Sequence, residues 1–180
     1  MINLVFDYDG TVCDPVRVFA PAFRDAFGHY IEEHHGSLDE WQDSRIALWF
    51  GVSMDVMLSE LGSYVEQEKL NELIGEMSAN VRARVLSGEQ TLFCGAEEML
   101  SELKSRGFHM ILFSKCDRAH IERQRKALPL GSYFDDIFCT GDFGDAGADK
   151  STVFSEIKKL FPGKYIIIGD RKQEIGRAHV

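Results

Sequence analysis

The chain has 180 residues, of which 44% are hydrophobic, and a formal net charge of −9 at pH 7. This composition predicts a folded protein with one sizeable core and excludes a disordered chain. The sequence is acidic overall and contains no run of basic residues. Both features argue against nucleic-acid and membrane partners. No apolar stretch reaches the ~20 residues that span a bilayer and no basic leader is visible, so we expect a cytoplasmic protein.

The predicted elements begin with an apolar run at 2–6, which is typical of a strand buried on both faces. A helical segment follows, with apolar residues at three- and four-residue spacing over 16–30, 43–61 and 66–86. Helices at 95–105, 118–127 and 151–160 then alternate with apolar strands at 108–114, 135–140 and 164–170. This order predicts an α/β fold, a Rossmann-like parallel sheet with helices on both faces and an inserted helical domain. We expect the core to comprise 1–14 and 92–180, and the helical insertion 15–91.

Polar and charged side chains follow the predicted strands at their carboxyl ends, the edge where parallel α/β sheets bind ligands. Acids at the end of a buried strand are costly unless a cation or a reaction needs them. These residues are Asp7, Asp9, Ser114, Lys115, Lys150 and Asp170. We therefore expect acids and cations to converge at one edge of the sheet.

Two neighbouring carboxylates suit phosphoryl transfer. In such a reaction we expect Asp7 to attack phosphorus and form an acyl phosphate, and Asp9 to protonate the leaving oxygen and later activate water. The chemistry requires Mg²⁺, a hard cation that prefers oxygen ligands and that Asp7, Asp9 and Asp170 would hold, with a backbone carbonyl among the ligands. This interpretation predicts a metal-dependent enzyme.

The remaining polar groups suit phosphate binding. Ser114 can donate its hydroxyl, and Lys150 its charge, to the non-bridging oxygens that gather charge in the transition state. Gly10 lets the backbone come close to the phosphate. The predicted ligand is a small phosphorylated metabolite.

Together, "DYDGT", Ser114 after an apolar strand, Lys150 and "IIIGD" resemble the four motifs of the haloacid dehalogenase-like superfamily of Mg²⁺-dependent phosphatases, in the same order. The resemblance extends over nearly the whole chain, and "FCGAEEMLSELKSRGF" is similar to a segment of phosphoglycolate-phosphatase-like members. It implies that Asp7 is the nucleophile, Asp9 the acid and base, and Asp170 a metal ligand. It also implies that the helical insertion is a cap that selects substrate.

Some positions depart from the superfamily pattern, and others are candidates for contact with the substrate. Lys115 stands where an asparagine is common and Ser151 where a proline is common, so phosphoglycolate gains no support as the substrate. Lys115 either adds charge for a phosphate or lies in the loop. "WFGVSMDVML" resembles a substrate-specificity loop, which makes Arg45 and Ser53 candidates for a substrate carboxylate or hydroxyl. An exposed helix arginine and an N-cap serine are the favoured alternatives.

Cysteine and tryptophan are interpreted as packing residues. The cysteines are widely spaced without a Cys-x-x-Cys pair, which predicts reduced thiols in or near the core and no zinc or redox motif. The tryptophans lie in the helical insertion and are expected to pack there. The residues are Cys13, Cys94, Cys116, Cys139, Trp41 and Trp49.

The last residues, "IGRAHV", are unusual. They can be back-translated as ATC GGA AGA GCA CAC GTC, which reads as a common sequencing adapter, so we hypothesise that 175–180 are not biological. On this hypothesis the adapter also supplies the last two bases of codon 174, so Asp is an alternative to Glu174 in the gene, and either acid could serve the metal site through water. The superfamily continues with a further strand and helix, whose loss would leave an open sheet edge and a less stable protein.

We therefore predict a cytoplasmic Mg²⁺-dependent phosphatase that acts on a small phosphomonoester as a monomer or homodimer. A sugar phosphomutase would use the same acids and stays open. A dehalogenase needs neither the metal nor a second acid such as Asp9 and is disfavoured. From outside enzymology, the alternatives are a phospho-ligand binding module and an inactive fragment.

Overall fold

The structure is a computed structural model that describes residues 2–35, 37–51, 54–143 and 150–170. It divides into two compact units, 1–14 with 91–180, and 15–90. In chain order the elements are β1 (Ile2–Phe6), β2 (Cys13–Asp14), α1 (Val16–His35), α2 (Asp43–Ala47), a 3-10 turn (Leu48–Gly51), α3 (Met54–Leu61), α4 (Gln67–Leu86), β3 (Thr91–Leu92), α5 (Ala96–Ser105), β4 (His109–Ser114), α6 (Arg118–Ala127), α7 (Leu130–Tyr133), β5 (Asp136–Cys139), a second 3-10 turn (Thr140–Phe143), α8 (Lys150–Leu160) and β6 (Lys164–Ile168).

A four-stranded parallel sheet forms the centre of the first unit, in the order β5-β4-β1-β6. Its two faces bury different side chains because alternate residues of a strand point to opposite sides. Leu4 of β1 shares a core cluster with Leu100 of α5 and Ile121 of α6. Val5 shares the opposite cluster with Ile157 of α8. The predicted Rossmann-like sheet with helices on both faces is thus confirmed.

A short antiparallel ribbon of β2 and β3 lies beside the sheet within the same unit, with Cys13 opposite Leu92 and Asp14 opposite Thr91. This ribbon was not predicted, because a two-residue strand shows no readable alternation. It places the point where the chain leaves for 15–90 next to the point where it returns.

The second unit is all-helical among its described residues. Its two longest helices, α1 and α4, pack against each other around an aromatic core. Trp41 and Trp49 are buried there, as predicted. The uninterrupted helix predicted over 43–61 is wrong: α2 ends at Ala47 and a 3-10 turn follows, which lets the Trp49 Nε1–H donate to Glu60 at 2.7 Å.

The four cysteines all lie in the described part of the chain; none of them forms a disulfide, and they differ in exposure. Cys13 and Cys139 are buried and Cys116 is half-buried, as predicted for thiols in or near the core. Cys94 is exposed, and for it that prediction is wrong. In the described part of the chain, no helix combines the length and apolarity needed to cross a bilayer.

Candidate active site

Asp7 follows β1 directly and is held by the neighbouring strand. Its N–H donates to the Ile168 carbonyl of β6 at 2.8 Å, so the backbone stays in register one residue past the strand. The carboxylate is only 7% exposed. Its Oδ1 accepts the Tyr8 N–H at 2.9 Å and the Lys150 Nζ at 2.6 Å. Asp7 is therefore a buried carboxylate with both of these donors on one oxygen.

Lys150 is the first residue of α8, and its side chain is 14% exposed. The Nζ also lies 5.4 Å from the centre of the Phe113 ring. A cation at the start of a helix opposes the helix dipole. The carboxylate of Asp7 offsets that cost. Because the ion pair is mostly buried, removing either partner would leave the other charge buried without compensation, which is strongly destabilising.

The turn after Asp7 brings Asp170 against Gly10. The Tyr8 carbonyl accepts N–H groups from Thr11, Val12 and Cys13, which closes the turn. Gly10 has φ +81°, and a Cβ built there would lie 2.7 Å from Oδ2 of Asp170. Only glycine therefore suits this position, for conformation and for space.

Tyr8 separates the two acids of "DYD". Its side chain is fully buried in the sheet core, and this burial raises its pKa well above the ordinary value. Asp9 is half-buried, and its backbone pairs with that of Cys13 in an isolated β-bridge across the turn. The buried ring between them anchors the strand end that carries both carboxylates.

Ser114 ends β4, the strand that pairs with β1 on the other side from β6. It is buried, and its Oγ accepts the Cys116 N–H at 3.2 Å. The side chain of Lys115 is exposed, and its carbonyl accepts a hydrogen bond from the buried Thr140 hydroxyl at 3.2 Å. Ser114 thus shares one sheet edge with Asp7.

The profile of the family described as "Haloacid dehalogenase-like hydrolase" matches residues 4–179. The chain belongs to this family. A comparison with curated protein sequences gives no match. The hydrolase is also similar in fold to several solved structures.

One of these, from Clostridium difficile and assigned as a phosphatase, is 19% identical with a TM-score of 0.76, and the match covers 98% of this chain and 79% of that one. A second, from Thermotoga maritima and assigned as a β-phosphoglucomutase, is 21% identical with a TM-score of 0.69, covering 99% and 80%. A third, from Lactobacillus plantarum and assigned as a phosphoglycolate phosphatase, is 16% identical with a TM-score of 0.69, covering 98% and 81%. At these identities the likeness supports the Rossmann-like fold alone.

The hydrolase offers Mg²⁺ a donor set of the right chemistry. The carboxylates of Asp7 and Asp170 follow adjacent strands, β1 and β6, and both supply oxygen. Among the described residues there is no cluster of three His, Cys, Asp or Glu side chains. Mg²⁺ keeps several waters and is commonly bound through one or two carboxylates, so two acids fit it. Glu174, the other predicted contributor, lies outside the described residues.

Arg45 and Ser53 were the candidates for contact with a substrate carboxylate or hydroxyl. Arg45 binds Glu60 at 2.8 Å and the Tyr64 hydroxyl at 3.3 Å, and its guanidinium stacks 4.0 Å from the centre of the Trp41 ring. These contacts hold Arg45 within the helical unit, and its contact with a substrate stays a prediction. Ser53 lies outside the described residues.

Sequence reasoning missed three residues that shape the site. Tyr8 anchors the strand end, Phe113 faces the Lys150 ammonium, and Thr140 binds the Lys115 carbonyl. Strand alternation could have shown that Tyr8 points inward between two acids. No sequence signal connects Thr140 with Lys115, because they lie on different strand ends.

Proposed function

We propose that this hydrolase is a Mg²⁺-dependent phosphatase that cleaves a small phosphomonoester through an aspartyl-phosphate on Asp7. The contact of 2.6 Å between Lys150 Nζ and Asp7 Oδ1 supports this proposal most directly. A buried carboxylate repels an incoming phosphate, and a cation beside it reduces that repulsion.

The oxygen that attacks is Oδ2 of Asp7. Oδ1 accepts both the Tyr8 N–H and the Lys150 ammonium, whereas none of the described residues donates a hydrogen bond to Oδ2. Oδ2 forms the bond to phosphorus as the bond to the leaving oxygen breaks, and Asp9 gives that oxygen its proton. Asp9 then takes a proton from water, which attacks phosphorus and releases phosphate and the Asp7 carboxylate.

Ser114 and Lys150 serve the phosphate oxygens. The Ser114 Oγ accepts the Cys116 N–H, and a hydroxyl that accepts one hydrogen bond can still donate its hydrogen to a phosphate oxygen. Lys150 supplies positive charge from the Asp7 side. When bound by Asp7, Asp170 and the Asp9 carbonyl, Mg²⁺ would supply further charge neutralisation to the phosphate.

The substrate class follows from the family and from the chemistry of the site. Similar solved structures are assigned as a phosphatase, a β-phosphoglucomutase and a phosphoglycolate phosphatase, and the last two names denote small phosphorylated molecules. We propose that the helical unit at 15–90 acts as the cap that selects the substrate. The net charge of −9 makes a nucleic-acid substrate unfavourable.

Hydrolysis of a generic aryl phosphate, with and without Mg²⁺, tests the proposal. We expect Mg²⁺-dependent release of phosphate that Asp7→Asn lowers by about 10³-fold or more, because an amide does not attack phosphorus. Asp39→Asn, in an exposed position of the helical unit, is the matched control and should keep full activity. Folded wild-type protein without any turnover would overturn the proposal and favour a binding module or an inactive fragment.

A sugar phosphomutase is the second candidate, since one similar structure is assigned as a β-phosphoglucomutase. Such an enzyme would form the same aspartyl-phosphate but return the phosphoryl group to a sugar. Incubation with a hexose phosphate separates the two: release of inorganic phosphate favours the phosphatase, and formation of an isomeric sugar phosphate favours the mutase.

A further inference from the structure

Asn3 is a fully buried polar residue in the otherwise apolar strand β1. A buried amide is costly unless its polar groups are hydrogen-bonded. The Asn3 Nδ2 donates to the Phe161 carbonyl at 3.2 Å, and the Oδ1 lies 2.8 Å from Nδ1 of His109. Because the Phe161 carbonyl can only accept, the NH2 group of Asn3 must face it. The contact with His109 supports the same orientation from the other side of the amide.

The Phe161 carbonyl lies at the end of α8. Phe161 is one residue past the last residue of the helix, and its N–H still donates to the Ile157 carbonyl at 3.0 Å. The last carbonyls of a helix have no partner within the helix. For Phe161, the Asn3 amide and the Tyr165 hydroxyl supply the missing donors. Asn3 therefore binds the end of α8 to β1.

The start of α8 is bound to the same strand. Asn3, Val5 and Asp7 point to one face of the sheet, because alternate residues of a strand share a side. Helix α8 packs on that face, where Ile157 and Val5 share a core cluster. The Lys150 Nζ lies 2.6 Å from Oδ1 of Asp7. One contact thus lies at each end of α8, and both are made to β1.

We propose that Asn3 is a positioning residue, which determines where the Lys150 ammonium lies on Asp7. Helix α8 has 11 residues, which is about 16 Å of helix. The segment from Asn3 to Asp7 is about 13 Å long. The two contacts therefore join a helix and a strand of similar length, and the helix carries the position of its end to its start.

The expected effect on turnover rests on the proposed function. Without the Asn3 amide, the Phe161 carbonyl loses a donor and α8 is free to shift along the sheet. The Lys150 ammonium moves with the helix, away from the place where it orients Asp7 and meets the phosphate. A displacement of about 1 Å, caused by a change far from the chemistry, lowers turnover by up to about 10²-fold.

Hydrolysis of the aryl phosphate by wild type, Asn3→Ala, Lys150→Met and the double variant tests whether Asn3 acts through Lys150. We expect Asn3→Ala to lower kcat by about tenfold or more in wild type and to have no further effect once Lys150 is replaced. Ile121→Val, a core substitution on α6, is the control for general destabilisation and should leave kcat unchanged. An unchanged kcat in folded Asn3→Ala, or an equal fold-loss in both backgrounds, would overturn the proposal.

Urea unfolding of the same proteins gives a readout that needs no catalysis. Substitutions at opposite ends of a helix ordinarily have additive effects on the free energy of unfolding. We expect the double variant to lose less than the sum, because Asn3→Ala already weakens the contact between Lys150 and Asp7. Ile121→Val should be additive with Lys150→Met. Additive losses for Asn3→Ala would overturn the proposal.

The two readouts also separate this proposal from the proposed function. If folded wild type hydrolyses nothing, the proposed function fails, and the unfolding measurement alone decides whether Asn3 positions Lys150. If Asn3→Ala does not fold, Asn3→Asp replaces it with the same expected results. Aspartate has nearly the size of asparagine and keeps an acceptor for His109, but it lacks the NH2 group that binds the Phe161 carbonyl.

Discussion

The Nζ of Lys150 lies 2.6 Å from Oδ1 of Asp7, although 143 residues separate the two in the chain. The contact joins the end of β1 to the start of α8, and it fixes the orientation of a carboxylate that is only 7% exposed. It also explains a lysine at a helix start, where the dipole alone disfavours a cation by about 0.3–1 kcal/mol.

Replacing Lys150 by methionine should lower aryl phosphate turnover by about 10²–10³-fold, because a donor for the transition-state charge is removed. It should also lower the free energy of unfolding by about 3 kcal/mol, since the Asp7 carboxylate is left buried without its partner. Urea unfolding and steady-state kinetics measure the two effects. Lys159→Met, an exposed position on the same helix, is the control.

The combination of Asp7→Asn with Lys150→Met should regain part of the lost stability, because no charge then stays buried at Asp7. Additive losses in unfolding free energy for the two substitutions would contradict the ion pair as described. Equal losses for Lys150→Met and Lys159→Met would contradict it as well.

Gly10→Ala should destabilise the first unit more than Gly107→Ala. Both glycines have left-handed backbone, with φ +81° and +78°, and each substitution costs about 1–2 kcal/mol for that reason. A Cβ at Gly10 also meets Oδ2 of Asp170 at 2.7 Å, whereas one at Gly107 meets nothing within 4 Å. Thermal or urea unfolding of the two variants isolates the contact with Asp170.

Adding Asp170→Ala to Gly10→Ala should remove this excess loss, because the colliding carboxylate is gone. Gly107→Ala should gain nothing from the same addition. If the two glycine variants unfold alike, Asp170 does not lie against Gly10 in solution.

Asp170→Asn should weaken Mg²⁺ binding by about tenfold or more, because an amide oxygen is a poorer ligand for a hard cation than a carboxylate. Calorimetric titration of the protein with Mg²⁺ measures this without any substrate. Asp39→Asn should bind Mg²⁺ as wild type does. Unchanged affinity in Asp170→Asn would remove Asp170 from the metal site.

Glu60→Gln should destabilise the helical unit by about 1 kcal/mol at pH 7, a value reduced for the partial exposure of Glu60. Burial opposes ionisation of Glu60, but hydrogen bonds from Trp49 and Arg45 outweigh it and lower its pKa. A lowered folded-state pKa contributes stability above the ordinary carboxyl value of about 4.3, and this contribution is lost as the pH falls through the lower value.

Urea unfolding of wild type and Glu60→Gln between pH 7 and pH 3 follows this pH dependence. We expect the difference in unfolding free energy to be constant down to about pH 5 and to narrow below it. Glu33→Gln, an exposed position on α1, is the control. A difference that widens toward low pH would mean that the carboxylate is not stabilised by Arg45 and Trp49.

The sequence was informative about the sheet and less so about the helical unit. Strands β1 and β4 were readable because burial on both faces makes them continuous apolar runs. Strand β6 was also readable as an apolar run, but its predicted burial is wrong: it is the last strand of the described sheet and its Ile166 is 51% exposed. The stretch 43–61 was wrongly predicted as one helix, since apolar spacing continues through the 3-10 turn and only the burial of Trp49 shows where the chain bends. Ribbon β2-β3 was too short to show a period.

By itself, the sequence determined that Asp7, Ser114 and Asp170 share one sheet edge, because parallel strands all present their carboxyl ends there. Only the tertiary structure decided that Lys150 contacts Asp7 and that Asp170 lies against Gly10. Those contacts depend on how α8 packs on the sheet and how the turn after β1 closes. Packing between segments far apart in the chain leaves no local pattern to read.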